Sequence, residues 1–167
     1  MVDMLNEAKA FPSRYWSQGV SQHWEHINAA AHQEKCEVRA SACPKCLMAC
    51  GKVSTVKEGR HKGLKLEGPE YETIYAFGGL CEVSSIEEII YLNDLCDRLG
   101  LDTITAGNLA GLSIEAARLG RIDSGPEYGD VDGIAQLIRD MAHRKGRGDL
   151  LAKGIRAVAS EWGVEDI

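Results

Sequence analysis

The sequence predicts an all-α, mainly helical fold carrying one short β-hairpin. Three observations point there. Apolar residues recur at helical spacing, as in Ile86, Ile89, Ile90, Cys96 and Leu99, and again in Ile134, Leu137, Ile138 and Met141. Those stretches open on side chains that cap helices and close on glycine or a polar turn. Only two short runs, 52–56 and 64–67, have strand character, and they flank the turn Glu58-Gly59-Arg60-His61-Lys62-Gly63.

Taken in order, the first helix is expected over 23–35, with Trp24, Ile27 and Ala31 on one face. A cysteine-bearing loop, 36–52, and the hairpin, 52–67, follow. The remainder, 69–163, is expected to be helical. Pro69 suits a first helical position, with Glu70 and Glu72 in the first turn where the helix dipole favours anions. Ser84 or Ser85 caps the next helix, Glu87 and Glu88 sit in its first turn, and Gly100 ends it. Further helices are expected over 105–119, from Asp130 or Asp132 onward, and over 148–162 with Gly163 as the stop. At 167 residues the chain has room for a real core, and it reads as a single helical domain, 1–167.

A composition 44% hydrophobic and 26% charged is that of a globular protein rather than a disordered one. The net charge of −6 argues against a nucleic-acid partner, which needs a basic face. The densest basic cluster, Arg144, Lys145 and Arg147, reads as the complement of a helix C-terminus. No apolar run approaches the roughly 20 residues of a spanning helix, so no membrane partner is expected. Residues 1–20 show no basic segment followed by an apolar one. A cytoplasmic location is expected, and with it free thiols rather than disulfides.

Those thiols are the strongest chemical signal. Cys43, Cys46 and Cys50 lie within eight residues, and their C-x2-C-x3-C spacing lets one loop wrap three thiolates round one centre. Thiolates at this density select zinc or an iron–sulfur cluster. Both normally want four protein ligands, so one is missing. A zinc site usually adds a second C-x2-C pair or a histidine pair, and neither follows Cys50. Iron–sulfur is therefore the preferred reading, with zinc as the alternative.

Two more segments carry chemistry. Glu67-Gly68-Pro69-Glu70-Tyr71-Glu72-Thr73 reads plainly as a helix start, or else as a carboxylate held beside a metal-centred reaction. Asp97-Arg98-Leu99-Gly100-Leu101-Asp102-Thr103 reads plainly as a helix stop followed by a new cap. In its functional reading, backbone carbonyls and two carboxylates converge on a ligand rich in N–H groups.

The order of these motifs resembles the tungsten-containing aldehyde ferredoxin oxidoreductases. Arg14-Tyr15-Trp16, Ala76-Phe77-Gly78 and Gly148-Asp149-Leu150-Leu151-Ala152 add to the resemblance, which runs from about Phe11 to Gly163. It implies the central helical region of a longer enzyme that oxidises aldehydes to carboxylic acids and passes electrons to ferredoxin. Cys43, Cys46 and Cys50 then match three ligands of a four-iron four-sulfur cluster. Asp97, Gly100, Leu101 and Asp102 match one of two motifs holding a tungsten (or molybdenum) bis-pterin. Glu72, and after it Glu70, matches a catalytic glutamate near the metal.

The departures matter too. The family's N-terminal β-rich domain, the second pterin motif with the fourth cluster cysteine, and a histidine beside the metal have no counterpart here. The expected partners are therefore missing domains of the same enzyme or a partner subunit, besides ferredoxin and a small-molecule aldehyde. The chain is expected to be inactive alone, with an exposed apolar strip at Tyr71, Tyr75, Phe77 and Leu80. Cys36, Cys81 and Cys96 are candidate fourth ligands but read better as packing residues. Two other functions stay open: an electron-transfer or scaffold subunit without pterin chemistry, and a zinc-stabilised helical domain. Any ferredoxin contact needs a local basic patch or absent parts, since the chain as a whole is acidic.

Overall fold

The long amphipathic stretches form the helices that hold the core of the computed structural model, which describes residues 1–167. Helix α4, Ile86–Leu99, is capped by Ser85, whose hydroxyl accepts from the Glu88 amide, and it stops at left-handed Gly100, φ 70°. Helix α5, Thr103–Arg118, begins two residues earlier than its apolar pattern, because Asp102 accepts the Thr105 amide at 2.7 Å. Helix α6, Val131–His143, opens on Asp130, which accepts from Gly133 at 3.0 Å. The sequence-based caps hold at all three.

Two stretches expected as continuous helices are broken. Over 23–35 there is one 3-10 turn, Trp24–His26, and then α2, Ala29–Lys35. Asn28 causes the break: its side chain takes the Ala31 amide at 2.9 Å and restarts the helix. Over 148–162 there are α7, Arg147–Leu151, and α8, Ile155–Trp162. Between them Gly154 has φ 91°, which no helix accommodates. A short N-terminal helix α1, Val2–Glu7, was not anticipated. Asn6 ties it to the next turn by accepting the Ser21 amide at 2.8 Å.

The expected hairpin is present as β2, Gly51–Val56, and β3, Lys65–Glu67, but the sheet has a third strand. Strand β1, Cys36–Ser41, pairs antiparallel with β2 from Cys36↔Val56 to Ser41↔Gly51, giving the order β1-β2-β3. The cysteine loop is therefore shorter than 36–52 and spans 42–50. Cys36, Val38 and Ala40 alternate with Glu37, Arg39 and Ser41, a period-2 pattern that fits a half-covered strand.

Pro69 lies outside the helix it was expected to start. Glu70 is the N-cap of α3, Tyr71–Thr73, which widens at once into a π-helical stretch, Ile74–Leu80. That stretch lies against α5 where α5 carries Gly107 and Gly111. A Cβ on Gly107 would stand 2.7 Å from the Ala76 Cβ, and one on Gly111 2.9 Å from the Tyr15 ring. Thirty-one buried residues form the apolar core, and Phe77 is among them. The expected exposed strip is corrected accordingly. Phe77 and Leu80 are fully buried, and only Tyr71 and Tyr75 keep part of their surface in solvent.

One buried carboxylate links the helices to the following loop. Glu115 of α5 accepts from Arg118 at 2.7 and 2.8 Å and from the Tyr128 hydroxyl at 2.8 Å. The Arg118 hydrogen bonds hold its pKa below the ordinary carboxylate value, against the opposing effect of burial. Because the folded-state pKa is depressed, this contribution is complete above the unfolded value of about 4.3 and is lost as pH falls through the folded pKa. Thermal unfolding followed from pH 6 down to pH 3 (roughly the window of carboxylate titration) should therefore show a steeper loss of Tm for the unmodified chain than for Glu115→Gln. Equal slopes would remove the pair from the stability account.

Candidate functional site

The register of β1 on β2 sends the loop 42–50 out of one end of the sheet. Cys43, Cys46 and Cys50 are all free and exposed on it. The Cys46 amide donates to the Cys43 carbonyl at 2.9 Å, and Lys45 and Ala49 adopt φ of 67° and 45°. These are left-handed conformations that L-residues adopt rarely, so the loop follows a specific winding path. The thiols do not converge into a ready-made ligand group. The donor set nevertheless fits a soft centre: three accessible, unpaired thiols on one short loop.

The other three cysteines do not fit that role. Burial pushes Cys36 up to about 11 and Cys96 up to about 12, and it raises fully buried Cys81 as well. Metal ligation needs the thiolate. The Cys81 thiol donates instead to the Gly107 carbonyl at 3.3 Å. These cysteines act as packing residues.

Strand β3 runs straight into the Glu-Gly-Pro-Glu-Tyr-Glu segment, and Gly68 fixes where that segment starts. Its amide donates to the Lys52 carbonyl at 2.6 Å, and its carbonyl accepts from the Ser54 hydroxyl. Ser54 therefore accepts in turn from His32 Nε2, 2.8 Å away. Burial, with Lys52 nearby, holds His32 below its usual pKa. Gly68 has φ 126°, and a Cβ there would approach Asn93 Oδ1 to 3.0 Å.

That approach joins the segment to the Asp97 motif, since Asn93 Nδ2 donates to Asp97 Oδ2 at 3.0 Å. A second link comes from Thr73 and Thr103, whose hydroxyls are 2.8 Å apart. Partial burial and the neighbouring Asp94 raise the Asp97 pKa, opposed by the Asn93 hydrogen bond. Asp102 is committed to capping α5. The carbonyls of Gly100 and Leu101 receive no hydrogen bond from the protein. Gly100, Leu101 and Asp102 line an open cavity of about 190 Å³ together with Met141, Leu151 and Ala152. The lining is mainly apolar and does not include Asp97, Glu70 or Glu72, but the free carbonyls of Gly100 and Leu101 suit a ligand with N–H donors, as a pterin is. Glu70 and Glu72 stand exposed, with no hydrogen-bond or ion-pair partner.

Of the residues singled out in the sequence, the fold thus joins the glutamate segment to Asp97, and Gly100–Asp102 to the later Leu151-Ala152. Cys50 belongs to the same assembly through the sheet, two residues before Lys52, whose carbonyl holds Gly68. His32 and Ser54 went unnoticed, because a pair 22 positions apart leaves no local pattern. Arg14, Tyr15 and Trp16 form a left-handed turn with φ of 45°, 44° and 66°. It sends Arg14 over the Tyr128 ring and leaves Trp16 beside Tyr75, their ring centroids 6.1 Å apart. A larger cavity of about 520 Å³ between Arg14, Arg118 and Tyr128 includes none of the residues singled out above for catalysis, cofactor or metal.

Comparison with known proteins gives a consistent picture. The family model for aldehyde ferredoxin oxidoreductase, domains 2 and 3, matches residues 1–167. The tungsten-containing aldehyde ferredoxin oxidoreductase of Pyrococcus furiosus is 32% identical over 173 residues, covering 98% of this chain and 27% of that protein. Its counterpart in Thermococcus kodakarensis is 31% identical over 170 residues, with the same coverage. The WOR-like subunit of an aliphatic sulfonate oxidoreductase from Pyrococcus furiosus is 34% identical over 114 residues, 65% of this chain and 18% of that one. Among solved structures, the BamBC active-site complex of benzoyl coenzyme A reductase matches with a TM-score of 0.69. It is 20% identical and covers 99% of this chain and 25% of that one, which shows a shared fold. The chain thus spans about a quarter of the length of the relatives it matches. No helix is long and apolar enough to cross a membrane.

Proposed function

The chain belongs to the aldehyde ferredoxin oxidoreductase family, and from that premise we propose its part in the reaction. It supplies the cluster-binding loop and one pterin-binding motif of an oxidoreductase that converts an aldehyde to a carboxylic acid and delivers the electrons to a ferredoxin. One observation carries this reading: the glutamate segment and the Asp97 motif adjoin, through Gly68–Asn93–Asp97 and Thr73–Thr103, and the same motif continues into Gly100–Asp102, which line a cavity.

In this reading Cys43, Cys46 and Cys50 hold three corners of a four-iron four-sulfur cluster. The fourth ligand comes from outside this chain, because its other cysteines are buried thiols. Asp97 Oδ1 and the carbonyls of Gly100 and Leu101 receive the N–H groups of a pterin, with Asp102 fixing the start of α5 beneath them. When bound, a tungsten (or molybdenum) bis-pterin supplies the two-electron redox change and the cluster supplies single-electron relay. The chain's own acid–base contribution is Glu72, whose unpaired carboxylate is free to take the proton released as water adds to the aldehyde carbon. Glu70 is the second candidate for that role. The sulfonate-linked relative favours one variant, in which the same centre serves another substrate, and an aldehyde and sulfonate panel on the complete enzyme separates the two.

Anaerobic reconstitution of this chain with iron and sulfide tests the cluster assignment. With three ligands, the expected product is a substoichiometric, easily bleached absorbance near about 400 nm, unchanged by Cys96→Ser. Full, stable occupancy lost on Cys96→Ser would place the fourth ligand inside this chain. Stoichiometric zinc with no iron uptake would support the zinc-stabilised alternative instead.

A further inference from the structure

Charge is distributed very unevenly along this acidic chain. Residues 35–65 carry eight lysines and arginines against two glutamates, although the whole chain is −6. The rest has eleven basic residues against twenty-three acidic ones. In the fold, 35–65 is one lobe that takes in β1, the cysteine loop, β2 and the hairpin turn and ends on the first residue of β3, whose last residue, Glu67, adds a third glutamate. Arg60 is used internally, pinning the turn to Glu88 at 2.7 Å and Asp132 at 3.0 Å. Lys35, Arg39, Lys45, Lys57, Lys62 and Lys65 are exposed, with Lys35 3.8 Å from Glu34, Arg39 3.9 Å from Glu37, and Lys57 donating to the Gln33 and Glu34 carbonyls.

The outer face of the sheet is arranged by its register. Arg39 lies opposite Val53, and Lys65 opposite Thr55, around a shallow depression of about 130 Å³ that Glu37 also lines, so the face carries two basic groups against one acidic one. Arg39 is two residues from the end of β1, where the loop departs. At the loop tip Leu47 is fully exposed and Met48 is 79% exposed, between Cys46 and Cys50. A small apolar contact next to a redox centre, with like charges around it, suits a brief encounter: burial is limited, and electrostatics sets the on-rate and orientation.

We propose that this lobe is the docking surface for a small acidic electron-transfer protein, seated on Leu47 and Met48 and steered by Arg39, Lys45 and Lys65. The proposal rests on the reading that the loop holds a cluster. The acidic remainder of the chain repels such a partner and so directs it to the cluster end.

The test uses the full-length polypeptide and its Arg39→Glu/Lys65→Glu variant, neither residue being a ligand. Aldehyde-driven reduction of a purified acidic ferredoxin and of benzyl viologen is measured at low and high ionic strength, together with direct ferredoxin binding. The variant should show a KM and Kd for ferredoxin raised about tenfold at low salt and a flattened salt dependence, with viologen turnover unchanged. Unchanged ferredoxin KM, Kd and salt slope would overturn the proposal. So would loss of viologen turnover or metal in the variant, which would make the face an interface inside the enzyme. A defect confined to binding a polyanion such as RNA would overturn it too. Direct binding needs no turnover, so a wild-type enzyme lacking iron or aldehyde activity would defeat the functional reading while the binding result still decided the docking surface.

Discussion

Glu72→Gln in the full-length polypeptide should retain its metals and lose turnover by about 100-fold or more, as for a lost general acid or base. Glu72 is exposed, forms no hydrogen bond or ion pair, and lies outside the apolar core, so the fold does not depend on its charge. Surface changes of that kind usually alter stability by no more than about 0.5 kcal/mol. Asp97→Asn should behave in the opposite way. Asp97 Oδ2 already accepts from Asn93, and an amide in its place turns a second acceptor into a donor facing the pterin's own donors. Leaving such groups unpaired costs about 1–3 kcal/mol, and the resulting fall in cofactor occupancy should carry activity down in parallel. Turnover per bound tungsten separates the two: reduced in Glu72→Gln, near normal in Asp97→Asn. Wild-type rate and metal in both variants would return these residues to a first-turn carboxylate and a helix-stop aspartate.

Gly148→Ala should damage the fold itself. Gly148 is buried at the start of α7, where a Cβ would overlap the Asp140 carbonyl and stand 2.6 Å from the Met141 amide nitrogen. Backbone cannot yield as a flexible side chain can, so α7 must move away from α6. Alanine's better helix propensity recovers about 1 kcal/mol, less than the strain of overpacking. With the strain at the upper end of the overpacking range, the expected net loss is about 2 kcal/mol, or a Tm lowered by roughly 4–8 °C for a chain of this size. Because Leu151 of α7 and Ala152 line the cavity together with Gly100–Asp102, cofactor retention should fall with it. A Tm within a degree or two (roughly) of the unmodified chain would show that the helices do not meet as closely as the structure has them.

The parts of the fold legible in the sequence were those with local causes. Ser85, Asp102 and Asp130 cap α4, α5 and α6 through their own following amides, and Gly100 and Gly163 end helices by adopting positive φ. The hidden parts depend on distant partners. The π-helical stretch Ile74–Leu80 buries Phe77 and Leu80 because Gly107 and Gly111 of α5 let it approach, and neither segment announces the other. Asn28 splits the first helix with a side-chain bond that apolar periodicity does not register. Strand β1 had a visible alternation, but the nearby cysteines drew its residues into the loop. At the site, the cysteine spacing and both carboxylate motifs were readable as types. Their placement was not, since it depends on Gly68 meeting Asn93 and on the His32–Ser54 pair. The basic block at 35–65 was diluted by a net charge of −6.

The division of labour between loop and motif is tested most directly by metal content in the full-length polypeptide, purified anaerobically. Iron, acid-labile sulfide, zinc and tungsten or molybdenum are measured per chain in the wild type, Cys46→Ser and Asp97→Asn. Wild type should contain iron, sulfide and the pterin metal. Cys46→Ser should lose iron and sulfide while retaining most of the pterin metal, and Asp97→Asn should do the reverse. Zinc in place of iron, or wild-type contents of both metals in both variants, would contradict the account.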